Sequence, residues 1–179
     1  MITLFKSKEP KIKIIDRVAF SESAKLEAMM TQWDSDKNTA FVFWFDESLR
    51  RAKLFFAGQT IEPVTLLSVR EANNFQLQGG NAFFAEHYPL RSIEEEFYKK
   101  MKIKVLTIFS SLNEPLFNLF GAGKIIKAVK RLGIKGSEVI QHKLISKAIR
   151  NTQEKIEKKV LIDPSAQSQQ EWLEKNFTH

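Results

Sequence analysis

Residues 38–45 read NTAFVFWF. From Ala40 to Phe45 the run is apolar without a break. A strand with one wet face alternates apolar and polar residues, whereas an unbroken run fits a strand buried on both faces, as in the middle of a parallel sheet covered by helices. The neighbouring segments supply the helices. SESAKLEAMMTQW (21–33) has Ser21 as N-cap and places Ala24, Leu26, Met29, Met30 and Trp33 at roughly helical spacing. ESLRRAKLFFAGQ (47–59) is expected to be capped by Asp46, with an apolar face of Leu49, Ala52, Leu54, Phe55 and Phe56.

Further out the alternation continues. Ile12, Ile14 and Ile15, after Pro10, mark a first strand. PVTLLSV (63–69) is a third, opened by Pro63 where a missing N–H is tolerable. A short helix, REANNFQL (70–77), is broken by Gly79–Gly80. NAFFAEH (81–87) is a fourth strand, RSIEEEFYKKM (91–101) a helix and KIKVLTIFSS (102–111) a fifth strand. Beyond Leu112 only helices follow: EPLFNLF (114–120), AGKIIKAVKRLG (122–133) with Gly133 as C-cap, and IQHKLISKAIRNTQEKIEKKV (140–160) with a seam of Ile145, Ala148, Ile149, Thr152 and Ile156. This pattern predicts a three-layer α/β fold with an open, mostly parallel sheet of about five strands and a helical C-terminal extension. The expected division is a sheet domain over 1–119, a helical extension packed on it over 120–160, and a tail over 161–179 ending in a short helix. Trp172 and Phe177 would anchor that tail on the core or on a second copy of the chain.

Composition sets outer bounds. The chain has 179 residues, 43% of them hydrophobic, with fifteen Phe and three Trp, enough for an aromatic-rich core. Its formal net charge of +7 admits nucleic acid, an anionic membrane surface or acidic proteins as partners and selects none of them. The absence of cysteine removes disulfides, thiolate nucleophiles and Cys-based zinc sites. No apolar run approaches the roughly 20 residues that span a bilayer, and the N-terminus lacks the apolar core of a signal peptide. A soluble, cytoplasmic protein is expected, with peripheral membrane association left open.

Residues 120–136, FGAGKIIKAVKRLGIKG, invite comparison with a phosphate-binding loop. A Walker A loop needs Gly-x-x-x-x-Gly-Lys followed by Ser or Thr. Gly123–Lys124 supplies the last pair, but Asn118 falls where the first glycine belongs and Ile125 where the metal-binding hydroxyl belongs. Isoleucine cannot hold Mg²⁺, so the stretch reads as a turn that starts a helix.

Four residues are candidates for a ligand site at the sheet edge. Glu86 and His87 end a predicted strand at the edge where open α/β sheets place ligands, and His87 has the chemistry of an acid or base near neutral pH. Asp46 ends the second strand similarly, although a helix cap accounts for it. Arg91 follows close behind. Glu94, Glu95 and Glu96 are consecutive, so they fan around a helix and do not converge on a metal. His142 reads as a capping or packing histidine. Lys124, Lys127, Lys130, Arg131, Lys147 and Arg150 form a candidate basic binding face, for which solvated helix surface is the simpler account. No aromatic residues interleave with them to stack bases. No cofactor or metal site is expected.

From Glu86 onward the order of features resembles the second RecA-like motor domain of SecA, the preprotein-translocase ATPase related to superfamily 2 helicases. The pieces are AEHYPLRSIEEEF (85–97), TIFSSLNEPLF (107–117), LFGAGKI (119–125), KRLGIKGSEVIQH (130–142) and SKAIRNTQEKIE (146–157). Matching positions include Glu86, Arg91, Ile93, Ser111, Leu112, Leu116, Phe120, Gly121, Leu132, Gly133, Gly136, Ile140, His142, Ala148, Ile149, Gln153 and Lys155. The resemblance implies a RecA/Rossmann-like fold. It also locates departures. Where that family carries a glycine- and arginine-rich finger motif, this chain has YKKMKIKVL (98–106), which holds neither residue, so the group that would stabilise a transferring phosphoryl is missing. The family's preceding Gly-Arg-Gly-Thr-Asp stretch is reduced to Gly79–Gly80. The first motor domain, which bears the Walker A loop, has no counterpart in these residues. No catalytic residue carries over.

Three readings follow in order. The first is a non-catalytic SecA/helicase-like module that binds a protein partner, with homodimerisation open. The second is a nucleic-acid binder using the basic C-terminal helices. The third, distant, is a small-molecule enzyme using Glu86 and His87.

Overall fold

The structure, a computed structural model, describes residues 12–72, 82–119 and 139–177. Its elements are β1 (Lys13–Ala19), α1 (Glu22–Ser35), β2 (Ala40–Phe43), α2 (Asp46–Gln59), β3 (Thr65–Ser68), β4 (Ala82–Phe84), α3 (Arg91–Lys100), β5 (Val105–Ser111), α4 (Pro115–Leu119), α5 (Lys143–Glu157) and α6 (Gln169–Phe177). The expected helices over 70–77 and 122–133 fall largely or wholly outside the described residues.

The five strands form one sheet in the order β1-β5-β4-β2-β3, and every pairing is parallel. The run that predicted a doubly buried strand is that strand: all four residues of β2 are buried. Phe41 and Phe43 face α1 and α2, packing with Leu26, Met29, Trp33, Leu49, Ala52 and Phe56. Val42 faces the other way, with Phe84, Tyr98, Leu106 and Ile108 beneath α3. Parallel strands connected by helices leave both faces covered, so side chains of both parities must be apolar. In α2, Leu49, Ala52 and Phe56 are buried as expected, but Leu54 is 72% exposed. At 100° per residue it lies about 140° from Leu49 and faces solvent.

α5 packs beside α3 against the β1 side of the sheet, using Ile145, Ile149 and Ile156. His142 is its N-cap and accepts a hydrogen bond from Leu144 N, as the sequence indicated. The edge strand β1 is partly covered by Ile140, which exchanges two backbone hydrogen bonds with Val18. The tail closes over the carboxyl end of the sheet. Trp172 of α6 is fully buried among Phe45, Leu90, Leu116 and Ile156, and its indole N–H donates to Asp163 at 2.7 Å. Among the described residues no helix is long and apolar enough to cross a membrane.

Truncating Trp172 to Ala removes the largest side chain in this seat and should cost about 3–5 kcal/mol. Trp172→Phe keeps most of the bulk and loses the hydrogen bond, at about 1 kcal/mol. Urea unfolding of the full chain followed by far-UV circular dichroism measures both; equal small losses would show that α6 is not seated on the core.

Candidate functional site

The strand order places a reversal between β2 and β4. Their following helices, α2 and α3, leave on opposite faces, and such a point opens the crevice in which α/β sheets bind ligands. A cavity of about 600 Å³ lies here, and the protein's own carboxylate Glu86 forms part of its wall beside Lys25, Ser48 and Glu114. Glu86, just beyond β4, accepts hydrogen bonds at Oε1 from Trp44 N (3.0 Å), Phe45 N (2.9 Å) and Ser48 Oγ (2.6 Å). Free N–H groups at the start of a helix attract anions, and Glu86 occupies that role for α2. This corrects the expectation for Asp46. The N-cap position is Phe45, with no side-chain cap bond, and Asp46 is an exposed residue of the first turn. At this helix start Phe45 O accepts from Leu49 N and Gln167 O from Glu47 N, while Glu86 takes the two N–H groups just before Asp46. Burial pushes the Glu86 carboxyl up to about 7, against the pull of Lys25 and Ser48 toward the ionised form.

Beside Glu86 stands a buried lysine. Lys25 of α1 is 1% exposed, and its ammonium reaches Ala85 O (3.1 Å), Glu114 Oε1 (2.9 Å) and Glu22 Oε2 (3.0 Å). Burial opposes its charge, but Glu114, Glu22 and Glu86 hold its pKa above the ordinary lysine value. Glu114 also accepts from Ser111 N, so one carboxylate ties α1 to the exit of β5.

His87 turns the other way, over the α3 face. Its Nε2 lies 3.0 Å from Asp16 Oδ1 and its Nδ1 3.0 Å from Glu94 Oε1, and the residue is 2% exposed. Burial alone would lower its pKa; Glu94 and Asp16 raise it well above 6.5. Burial would raise the Asp16 carboxyl, but His87, with Ser146 and Arg150, outweighs it and the pKa is lowered. An imidazolium donating from both nitrogens has no lone pair with which to take a proton. Glu94 further accepts from Tyr88 N and Gln153 Nε2, so α3, α5 and the β4 exit share one network.

The four sheet-edge candidates therefore do not converge. Glu86 serves α2, His87 is locked between β1 and α3, Asp46 is exposed, and Arg91 pairs with Glu95 (2.7 Å) and Glu154 (3.3 Å). Lys147 and Arg150 are exposed on α5; Lys124, Lys127, Lys130 and Arg131 lie outside the described residues. Among the described residues no group of three or more His, Asp or Glu side chains is placed to hold a metal. Sequence reasoning missed Asp16, Lys25, Glu94, Gln153 and Gln169. Three had a signal: Asp16 interrupts the apolar β1, Lys25 precedes Met29 by one helical turn, and Glu94 precedes Tyr98 by one turn on the same face.

Fold and edge together define an open parallel α/β module whose ligand crevice is internally bonded. No family model matches the chain. A 49-residue segment, 27% of the chain, is 49% identical to protein translocase subunit SecA of Anaplasma marginale (strain St. Maries). A 51-residue segment, 28% of the chain, is 45% identical to SecA of Clostridium beijerinckii. The match to SecA of Christiangramia forsetii is 45% over 49 residues, 27% of the chain. The chain thus contains a SecA-related region, and it spans only 6%, 6% and 4% of these relatives' lengths.

Glu86→Ala leaves two backbone N–H groups without their acceptor and should cost about 3 kcal/mol or more. Glu86→Gln retains an acceptor oxygen and should cost far less. Because the folded pKa of Glu86 is raised to about 7 from 4.5, its contribution to stability is present below 4.5 and lost as pH rises through 7. Glu86→Gln should flatten the stability profile over that interval in urea titrations; an unchanged slope would mean Glu86 stays ionised throughout.

For His87 the raised pKa gives a stabilisation fully present below 6.5 and lost as pH climbs through the folded value. The Asp16 share is present above 3.8 and lost on acidification through its lowered pKa. The stability gap between the natural protein and His87→Gln should therefore be widest between these limits and narrow in alkali. Histidine titration by NMR checks it directly: a midpoint at or below 6.5 would contradict the clasp.

Proposed function

We propose that this chain is a non-catalytic, SecA-like module of the RecA/Rossmann type that acts by binding a protein, in the cytoplasm. The observation that carries the reading is the occupation of the switch-point crevice by Glu86, whose carboxylate takes two backbone N–H groups and Ser48 at the entrance to α2. A nucleotide phosphate entering there would have to take the three donors that Glu86 now holds. The tail forms one wall of the same edge: Gln169 of α6 donates to His87 O and accepts from Leu116 N. The histidine that offered acid–base chemistry is bonded at both nitrogens. The SecA-related region supports kinship with a protein that works on other proteins, as the name translocase subunit states for those relatives.

ATP and ADP titrations, followed by tryptophan fluorescence and by thermal melting, test this reading. The expected result is no saturable change and no phosphate release up to about 1 mM nucleotide, where binding energy falls to about 4 kcal/mol. Micromolar affinity accompanied by turnover would overturn it.

A further inference from the structure

Between α3 and α5, over the β1 side of the sheet, lies a cleft of about 380 Å³, a volume within the range of ligand pockets. Ile12, Ile14 and Ile149 give it an apolar wall, and the bonded Asp16–His87–Glu94 clasp lies at its base. Its rim mixes charges, with Glu95 and Lys99 beside two arginines. Arg91 comes from α3, held in place by Glu95 and Glu154, and Arg150 comes from α5. From Arg150 the exposed side of α5 continues through Lys147 to Lys143, one turn apart, so the basic stripe borders the cleft. Leu144, 62% exposed, stands beside that stripe.

Apolar wall, basic α5 stripe and exposed leucine occur together. A single-stranded nucleic acid would need aromatic side chains for base stacking; none lines this cleft, and none is among the exposed large hydrophobics of the described residues. The exposed stripe Arg150, Lys147 and Lys143 would steer an acidic partner toward this face and repel a basic one. We propose that this cleft is a docking site for an acidic, amphipathic segment of a partner protein. An aliphatic side chain enters beside Ile12, Ile14 and Ile149, and flanking carboxylates pair with Arg150 and Lys147. The inference rests on the protein-binding reading above and gives that partner a chemistry.

Fluorescence anisotropy of the full chain with a short labelled peptide of alternating Glu and Leu tests it. Two controls are the same peptide with every Leu replaced by Ser and an oligouridylate of similar charge. The expected result is saturable binding of the Glu-Leu peptide, with the Ser peptide and the oligouridylate each weaker by about tenfold or more. Arg150→Glu should weaken the peptide by about tenfold through charge, and Ile12→Asp by a similar factor through the apolar wall. Melting curves check that both variants fold; if Arg150→Glu does not, Lys147→Glu at its exposed position is read instead. No binding at about 1 mM peptide, equal binding of the Ser peptide or oligouridylate, or indifference to both substitutions would overturn the proposal. None of those outcomes touches the non-catalytic reading, which the nucleotide titrations decide separately.

Discussion

A protonated histidine held between two buried carboxylates is the constraint on which the arrangement of layers depends. Asp16 belongs to β1, His87 to the exit of β4, and Glu94 to α3. β1 is the first strand in sequence, yet it pairs with β5, the last, and is separated from β4 by that strand. Hydrophobic burial would accept several ways of laying α3 and α5 on this face, because it is non-directional. The clasp accepts one, since each ring nitrogen must meet an oxygen and Glu94 must also meet Tyr88 N and Gln153. Gln153 brings α5 into the same geometry. A connection that sequence order leaves open is thereby fixed in space.

Such clasps are not a cheap source of stability. Taking charges out of water costs several kcal/mol each, and well-packed apolar replacements are often as stable or more so. What a buried ionic group does reliably is penalise the wrong arrangement, because any shift that breaks one partner strands the others. The same logic governs Lys25. Its ammonium has three oxygen partners at 2.9–3.1 Å from α1, the end of β4 and the turn after β5. Glu86 completes the set by bonding β4 to the start of α2. Helix starts at this edge are therefore referenced to the sheet by polar contacts as well as by packing, α4 through Glu114 and Ser111 N and α6 through Gln169.

The fold was legible because it is written in local pattern. NTAFVFWF declares a doubly buried strand, Ser21 and His142 announce their caps, and the alternation of runs sets the layers. The edge was legible only as a position. Glu86 and His87 could be placed at a strand exit, but apart from Glu94, seven residues on from His87, their partners lie 38 to 71 residues away in sequence, and no spacing rule connects those. Asp46 misled for a related reason: a local cap is the simplest local account of an acid before a helix, yet α2 starts one residue earlier, at Asp46 itself, with Phe45 as an N-cap that has no side-chain bond. Within the apolar pattern the charged intruders Asp16, Lys25 and Glu94 were the readable trace of this network. A charge on a face that must be buried has to have a partner, even where the sequence does not say which.

This internal pairing bears on what a SecA-related region can do once it stands on such an edge. A crevice at a switch point binds ligands because its N–H groups and helix start are left unsatisfied by the fold itself. Once Glu86 satisfies them, the driving force for an external anion is gone, and a competing phosphate would have to leave a carboxylate buried without its donors. A second polar surface lies on the α3–α5 side, where Arg150 and Lys147 face solvent beside an apolar wall. The two places differ in the kind of partner that fits. A strand-end crevice holds a compact anion, whereas a cleft running between two helices suits an extended side-chain pattern, which a polypeptide supplies.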